Sequence, residues 1–273
     1  MLRLATITLL LSLCLPTLAT GQIRAAGSTT LLPIIAEAAK VFRKQHPNIT
    51  LTVSGGGSGV GITSLKQGEI EIGMSSRPLT KKEQAQLQHI AYEIPIAVDA
   101  VAIAVSKAVY QGGIRALTIQ QVADIYRGKI RNWSELGGAD SPILVIDKEP
   151  SRGTRHVFAK VVLGDERARA PGATIITGSN NEEQSAISRS DKAIGMLSNA
   201  WLNDKVRAIA LIQDNLSLLP SEENIISGRY PIQRTLNILI HNDSSAQTKA
   251  FVDFLQSEQG QHIIQQVGYL PAQ

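Results

Sequence analysis

The chain has 273 residues, enough for one large domain or two of ordinary size around a real core. Hydrophobic residues make up 43% and charged residues 18%, which excludes a disordered polymer and a multi-span membrane protein. The net charge of +4 is mild, the basic residues are scattered and aromatics are only 4%, so nucleic acid is a poor partner for it.

Met1–Gly21 reads as a secretory leader. Arg3 gives a positive start, Leu4–Leu18 is almost wholly apolar, and Ala19 and Gly21 put small residues at −3 and −1 before Gln22. The apolar stretch of about fifteen residues falls short of the roughly 20 that span a bilayer, so cleavage is favoured over an uncleaved anchor. Cys14 sits inside that stretch behind bulky Leu13, which argues against lipid attachment. The mature chain then contains no Cys, and an exported protein of this kind suits the periplasm or the cell surface.

Strands and helices alternate from there. Gln22–Ala26 is a short apolar strand that ends at Gly27-Ser28-Thr29-Thr30, an N-cap cluster. Leu31–Gln45 repeats apolar residues at helical spacing until Pro47. Ile49–Val53 is a strand, the run Gly55–Gly61 follows it, and Ile62–Gln67 is a short helix stopped by Gly68. Ile70–Met74 is a strand, a polar helix lies between Pro78 and Leu87, and Ala91–Val105 is one long β-rich stretch with Asp99 inside it. Thr118–Tyr126 reads as a helix, Ile143–Ile146 as a strand and Thr154–Leu163 as a helix. Ala193–Leu197, Ile209–Ile212 and Leu236–Ile240 are strands, and Ser245–Val267 is a closing helix broken near Gly260. This alternation argues an α/β sheet with helices on both faces, a class that binds ligands where strands end and helices begin.

Gly27–Leu31, Gly57–Gly61, Ser75–Arg77 and Arg152–Arg155 all occupy such positions, and each combines Gly, Ser or Thr. Gly lets the backbone come close to a ligand, hydroxyls add donors, and a helix N-terminus adds positive dipole. The product is an anion site built mostly from neutral donors, to which Arg77 and Arg155 can add charge. The run Ser54-Gly55-Gly56-Gly57-Ser58-Gly59-Val60-Gly61 lacks the Gly-Lys-Ser/Thr ending of a nucleotide loop and fits no G-x-G-x-x-G register. The five His residues show no metal-ligand spacing, and the single Cys builds no zinc site, so no metal and no cofactor is expected. His156 alone lies beside the candidate site, and Trp133 reads as packing.

Ala26-Gly27-Ser28-Thr29-Thr30-Leu31-Leu32-Pro33, Gly56–Ile62, Ile72–Arg77, Ile125–Trp133, Gly153-Thr154-Arg155 and the closing Gly268-Tyr269-Leu270-Pro271 occur in one order over nearly the whole mature chain. In these motifs the sequence resembles the periplasmic phosphate-binding proteins of phosphate ABC importers. The resemblance implies a two-lobed type II periplasmic-binding fold, with lobe one near 22–97 plus 236–273 and lobe two near 98–235. It also implies a monomer that captures inorganic phosphate and passes it to ABC-transporter permease subunits, without catalysis. Carried over by position, the expected contacts are Thr29, Thr30, Leu31, Ser58, Gly59, Ser76, Arg77, Arg152, Gly153, Thr154 and Arg155.

Three positions depart from the family pattern. Ser76 stands where several members have a carboxylate that accepts the proton of hydrogen phosphate, Arg152 where many have Ser, and Lys148, beside Glu149, where an Arg is usual. A carboxylate rejects sulfate, which has no proton to give, so Ser76 predicts weaker discrimination and leaves sulfate or another tetrahedral oxyanion as the alternative ligand. If sulfate is nevertheless rejected, Glu149 is the candidate acceptor in place of Ser76. A secreted phosphohydrolase and a sensor that kept the fold are the other readings. The first lacks clustered Asp/His ligands and a nucleophile elbow.

Overall fold

Apolar runs punctuated by Gly, Pro and Ser fold here into alternating strands and helices. The computed structural model describes residues 21–272, so the leader reading falls outside it except for Gly21. The chain begins with β1 (Gly21–Gly27), α1 (Leu32–Gln45), β2 (Ile49–Gly56), α2 (Ser58–Lys66), β3 (Ile72–Ser75), α3 (Lys81–Leu87) and the long β4 (Ala91–Ser106). It continues with α4 (Lys107–Gln111), β5 (Ala116–Thr118), α5 (Ile119–Tyr126), β6 (Leu144–Lys148), α6 (Gly153–Phe158), β7 (Ile175–Thr177) and α7 (Asn180–Ser188). The remaining elements are β8 (Ala193–Ser198), β9 (Val206–Gln213), β10 (Leu216–Leu218), α8 (Glu222–Ile226), β11 (Gln233–His241), α9 (Ala246–Gln256), α10 (Glu258–Gln266) and β12 (Leu270–Pro271).

One strand joins everything. The first half of β4 runs antiparallel to β11, and its second half, Val101–Ser106, runs antiparallel to β8 and β9. The sheet order is β2-β1-β3-β11-β4-β8-β6-β7, with parallel pairs at both ends and antiparallel pairs in the middle. Two large cores result, each with a smaller apolar cluster beside it. One gathers Ile23, Ile34, Phe42, Ile72, Ile96, Leu236 and Phe251, and the other Val101, Ile103, Tyr126, Trp133, Phe158, Met196 and Ile209. Trp133 is buried and donates Nε1–H to Lys192 O at 3.0 Å, a packing role.

The structure moves three sequence-derived boundaries. The helix expected over 62–67 starts at Ser58, because Gly57 takes φ +93° and turns the Gly-rich run into the first helical turn. The helix from Gly153 loosens into a single π turn after Phe158. The closing helix divides at Ser257, whose hydroxyl accepts the Gly260 N–H at 3.3 Å and so caps a new helix. The strands β5, β7 and β10 were not expected, since three residues carry too little periodicity to read.

Small residues let α2 lie directly on the strands below it. A Cβ at Gly61 would stand 2.6 Å from Ala26 O and 2.9 Å from Met74 O, both backbone atoms that cannot yield. Gly61→Ala is therefore expected to destabilise the protein by about 1–3 kcal/mol through overpacking, although Ala is the better helix former. Urea unfolding measures this. A variant as stable as wild type would mean that α2 can lift away from β1 and β3.

Candidate functional site

Four strand–helix junctions meet at one point. After β1, Gly27 (φ +133°) turns the chain so that Ser28 N–H donates to Met74 O at 2.9 Å and Thr30 N–H to Ser28 Oγ at 3.2 Å. After β2, Ser58 opens α2. Its Oγ accepts the Ser76 N–H at 3.0 Å and lies 3.3 Å from Ser76 Oγ, which follows β3. From the other half of the chain α6 begins at Gly153 and Thr154. A Cβ on Gly153 would collide with the Ser58 and Ser76 hydroxyls, so only Gly admits this approach. Gly59 N–H also donates to Ser151 O at 3.1 Å and ties the two halves together.

Arg234, on β11, organises the cluster from beneath. Its side chain is fully buried and faces Asp99 as its cross-strand partner, with Nε at 2.9 Å and Nη2 at 2.6 Å from Asp99 Oδ2. Nη1 donates to Thr154 Oγ1 at 2.9 Å and to Ser76 O at 3.3 Å, and Nη2 to Thr30 Oγ1 at 3.1 Å. Asn180 Nδ2, at the start of α7, donates to the same Thr30 Oγ1 at 3.1 Å. Two donors fill the two lone pairs of Thr30 Oγ1, so its hydrogen is left to donate. Ser198 Oγ donates to Asp99 Oδ1 at 2.9 Å, and Tyr269 OH donates to Thr30 O at 2.7 Å, which gives the closing Gly268–Pro271 motif its role. Burial pushes the Asp99 carboxyl up from its ordinary value, and the Arg234 charge and hydrogen bonds oppose that.

Thr30, Ser58, Ser76, Gly153 and Thr154 are thus brought together and buried. Thr29 is half-buried at the edge, with its methyl against Gly55. Leu31 enters the core, and its N–H donates to Ser28 O at 3.2 Å. Arg152 packs against Gly57 and is ion-paired with Glu149. Arg77 and Arg155 point elsewhere. Arg77 grips both oxygens of Glu83 at 2.8 Å, whereas Arg155 Nε lies 2.7 Å from Asp147 Oδ1 and its Nη2 donates to Ala168 O. His156 is paired with Glu166 at 3.1 Å, and Lys148 is buried against Glu183. Each cation around the cluster therefore has its own carboxylate, which leaves dipoles as the groups that can receive an anion.

Arg234, Asp99, Asn180 and Tyr269 were missing from the sequence-derived set. For Asp99 the available signal was a charge set between the apolar runs Ile94–Val98 and Ala100–Val105; Arg234, in the mixed strand Gln233–His241, offered none. Asn180 follows Ser179, which with Glu182 three residues on has the spacing of a helix start.

A family model described as the PBP superfamily domain matches residues 16–259. The chain is 31% identical over 255 residues to the phosphate-binding protein PstS of Bacillus subtilis, covering 93% of this chain and 81% of that one. A solved phosphate ABC transporter substrate-binding protein of Clostridium perfringens, with bound phosphate, superposes with a TM-score of 0.84 at 30% identity, covering 93% of this chain and 100% of that one. An ABC-type phosphate transport receptor of Vibrio cholerae gives 0.73 at 33% identity, covering 91% and 99%.

Two outcomes follow from the ion pairs. Burial raises the Glu83 carboxyl, but hydrogen bonds from Arg77 and Thr80 outweigh it and hold the pKa down to about 2. A folded value below the unfolded one of about 4.3 stabilises the protein above that pH, and the stabilisation is lost as pH falls from about 4.3 toward 2. Arg77→Ala should accordingly lower the thermal midpoint at pH 7 but differ little from wild type near pH 2.5. An equal deficit at both pH values would remove the ion pair as the cause. Arg234→Met strands Asp99 as a buried unpaired charge and should cost about 3–5 kcal/mol in urea unfolding. A loss under about 1 kcal/mol would mean that Asp99 is neutral or hydrated in the folded protein.

Proposed function

This chain belongs to the PBP superfamily, and from that premise we propose that it is an extracytoplasmic binding protein that captures inorganic phosphate and delivers it to the permease subunits of an ABC importer. Its architecture is the two-lobed type II periplasmic-binding fold. The lobes are residues 22–97 plus 236–273 and residues 98–235, a division supported by the two cores and by the passage of β4 and β11 between them. Met1–Gly21 is the cleaved leader, and the mature protein works as a monomer in the periplasm.

The carrying observation is the convergence of the Thr30, Ser58 and Ser76 hydroxyls with that of Thr154, from the other half of the chain, in one buried cluster bridged by Arg234. A tetrahedral oxyanion needs donors from several directions, out of water, and this cluster supplies them at the first turns of α2 and α6. Arg234 serves indirectly. By donating to both hydroxyl oxygens it holds Thr30 and Thr154, 3.5 Å apart, in one orientation, and together with Asn180 it leaves Thr30 Oγ1 only its hydrogen to offer. Among the described residues Asp99, Asp147, Glu149 and Glu183 are each paired with a cation, which supports a reading of binding without turnover.

Calorimetry of phosphate-stripped protein with phosphate, sulfate, molybdate and an organophosphate tests this reading. Phosphate should bind at one site. Ser58→Ala should weaken it by about 10- to 150-fold, the loss of a neutral hydrogen bond to a charged ligand, with the fold intact. Binding of the organophosphate alone, or an unchanged dissociation constant in Ser58→Ala, would overturn the proposed ligand or the proposed site respectively.

A further inference from the structure

The cluster contains a buried acceptor that nothing satisfies. Asn180 is 1% exposed, its Nδ2 is committed to Thr30 Oγ1 at 3.1 Å, and its Oδ1 is buried with no hydrogen-bond partner. Leaving such an atom unpaired costs on the order of a full hydrogen bond, and native structures rarely tolerate it without a function. The surroundings hold the residue in place. Ser179 caps α7 by accepting the Glu182 N–H at 3.2 Å, and Lys148, itself buried against Glu183, donates to Ser179 O at 3.2 Å.

We propose that Asn180 Oδ1 accepts the proton of hydrogen phosphate, and so sets a preference for protonated tetrahedral oxyanions over fully deprotonated ones. The proposal rests on the phosphate reading above and refines it. Hydrogen phosphate brings one O–H, which must meet an acceptor, whereas sulfate brings oxygens alone. The hydroxyls of Ser58 and Ser76 rotate, donating to either anion, and so discriminate against neither. Asp99 is occupied by Arg234 and Ser198, and Glu149 is half-exposed and paired with Arg152. An amide carbonyl cannot donate. For Asn180 to present Nδ2 instead, its amide must turn round, which gives up the donation to Thr30 and draws the Thr30 hydrogen away from the anion. The acceptor that Ser76 does not fix is thereby supplied from α7.

The test separates proton from size and charge by pairing phosphate and arsenate, which carry a proton at pH 7, with sulfate and selenate, which do not. Calorimetric dissociation constants are measured for wild type, Asn180→Ala and Asn180→Asp, with folding checked by thermal unfolding. Wild type should favour the protonated pair by roughly 10- to 100-fold. Asn180→Ala should lose most of that ratio, and Asn180→Asp, which has acceptors only, should keep or widen it. The ratio is taken on one sample, so a partly unfolded variant still reports it. A wild-type ratio near one would show that the amide turns freely, and an unchanged ratio in Asn180→Ala would show that Asn180 only positions Thr30. Either result overturns this proposal alone. A wild type that binds none of the four anions overturns the phosphate reading and this inference with it.

Discussion

The cross-strand pair of Arg234 and Asp99 is the contact on which the rest of the molecule depends. It sits where β4 and β11 pass between the two cores, and it reaches Thr30 and Ser76 on one side and Thr154 on the other. A buried ion pair is weak evidence of net stability, because desolvating both charges costs about as much as their attraction returns. Its value here is geometric. The guanidinium plane fixes five donors in one fork, so the hydroxyls that accept from it have one arrangement rather than several. Hydrogen bonds from Ser198 and the backbone of Ala100 join Arg234 in opposing the rise that burial imposes on the Asp99 carboxyl, and Tyr269 fastens the Thr30 turn.

Much of the architecture was readable along the chain, because its signals are local. Helix α1 shows apolar residues at helical spacing, and β4 is a long apolar run. The Gly- and Ser-rich junctions mark the places where strands end and helices start. Ser58, Ser76 and Thr154 could be singled out for the same reason. Arg77 and Arg155 show where this logic stops. Both lie next to cluster residues in sequence, yet neighbours along a strand end or a helix start face different directions, and each meets a carboxylate of its own instead. Arg234 shows the converse. Its partner Asp99 is 135 residues away, and no local pattern announces a pairing made only by the sheet register. Asn180 was hidden for a smaller reason, since α7 is polar and short of periodic apolar residues.

The departures from the family pattern acquire physical content in this setting. Lys148 does not replace a missing Arg as a free cation, because Glu183 neutralises it inside the second core's edge. Arg152 lies along the Gly57 backbone, where any side chain at residue 57 would strike it, and is paired with Glu149. Both cations near the cluster thus carry a carboxylate partner that returns the local charge to zero.

That neutrality has a consequence for how a solute arrives. Long-range attraction between a protein and an ion needs uncompensated charge, and the salt sensitivity of association comes from screening that attraction. Here Arg77, Arg152, Arg155, Arg234 and Lys148 each carry a carboxylate within reach, so these five cations add little net charge of their own. Recognition is left to dipoles that act only at contact, after the solute has shed its water. Salt then screens the long-range pull of the chain's mild net positive charge, while the contacts made inside the cluster are largely spared.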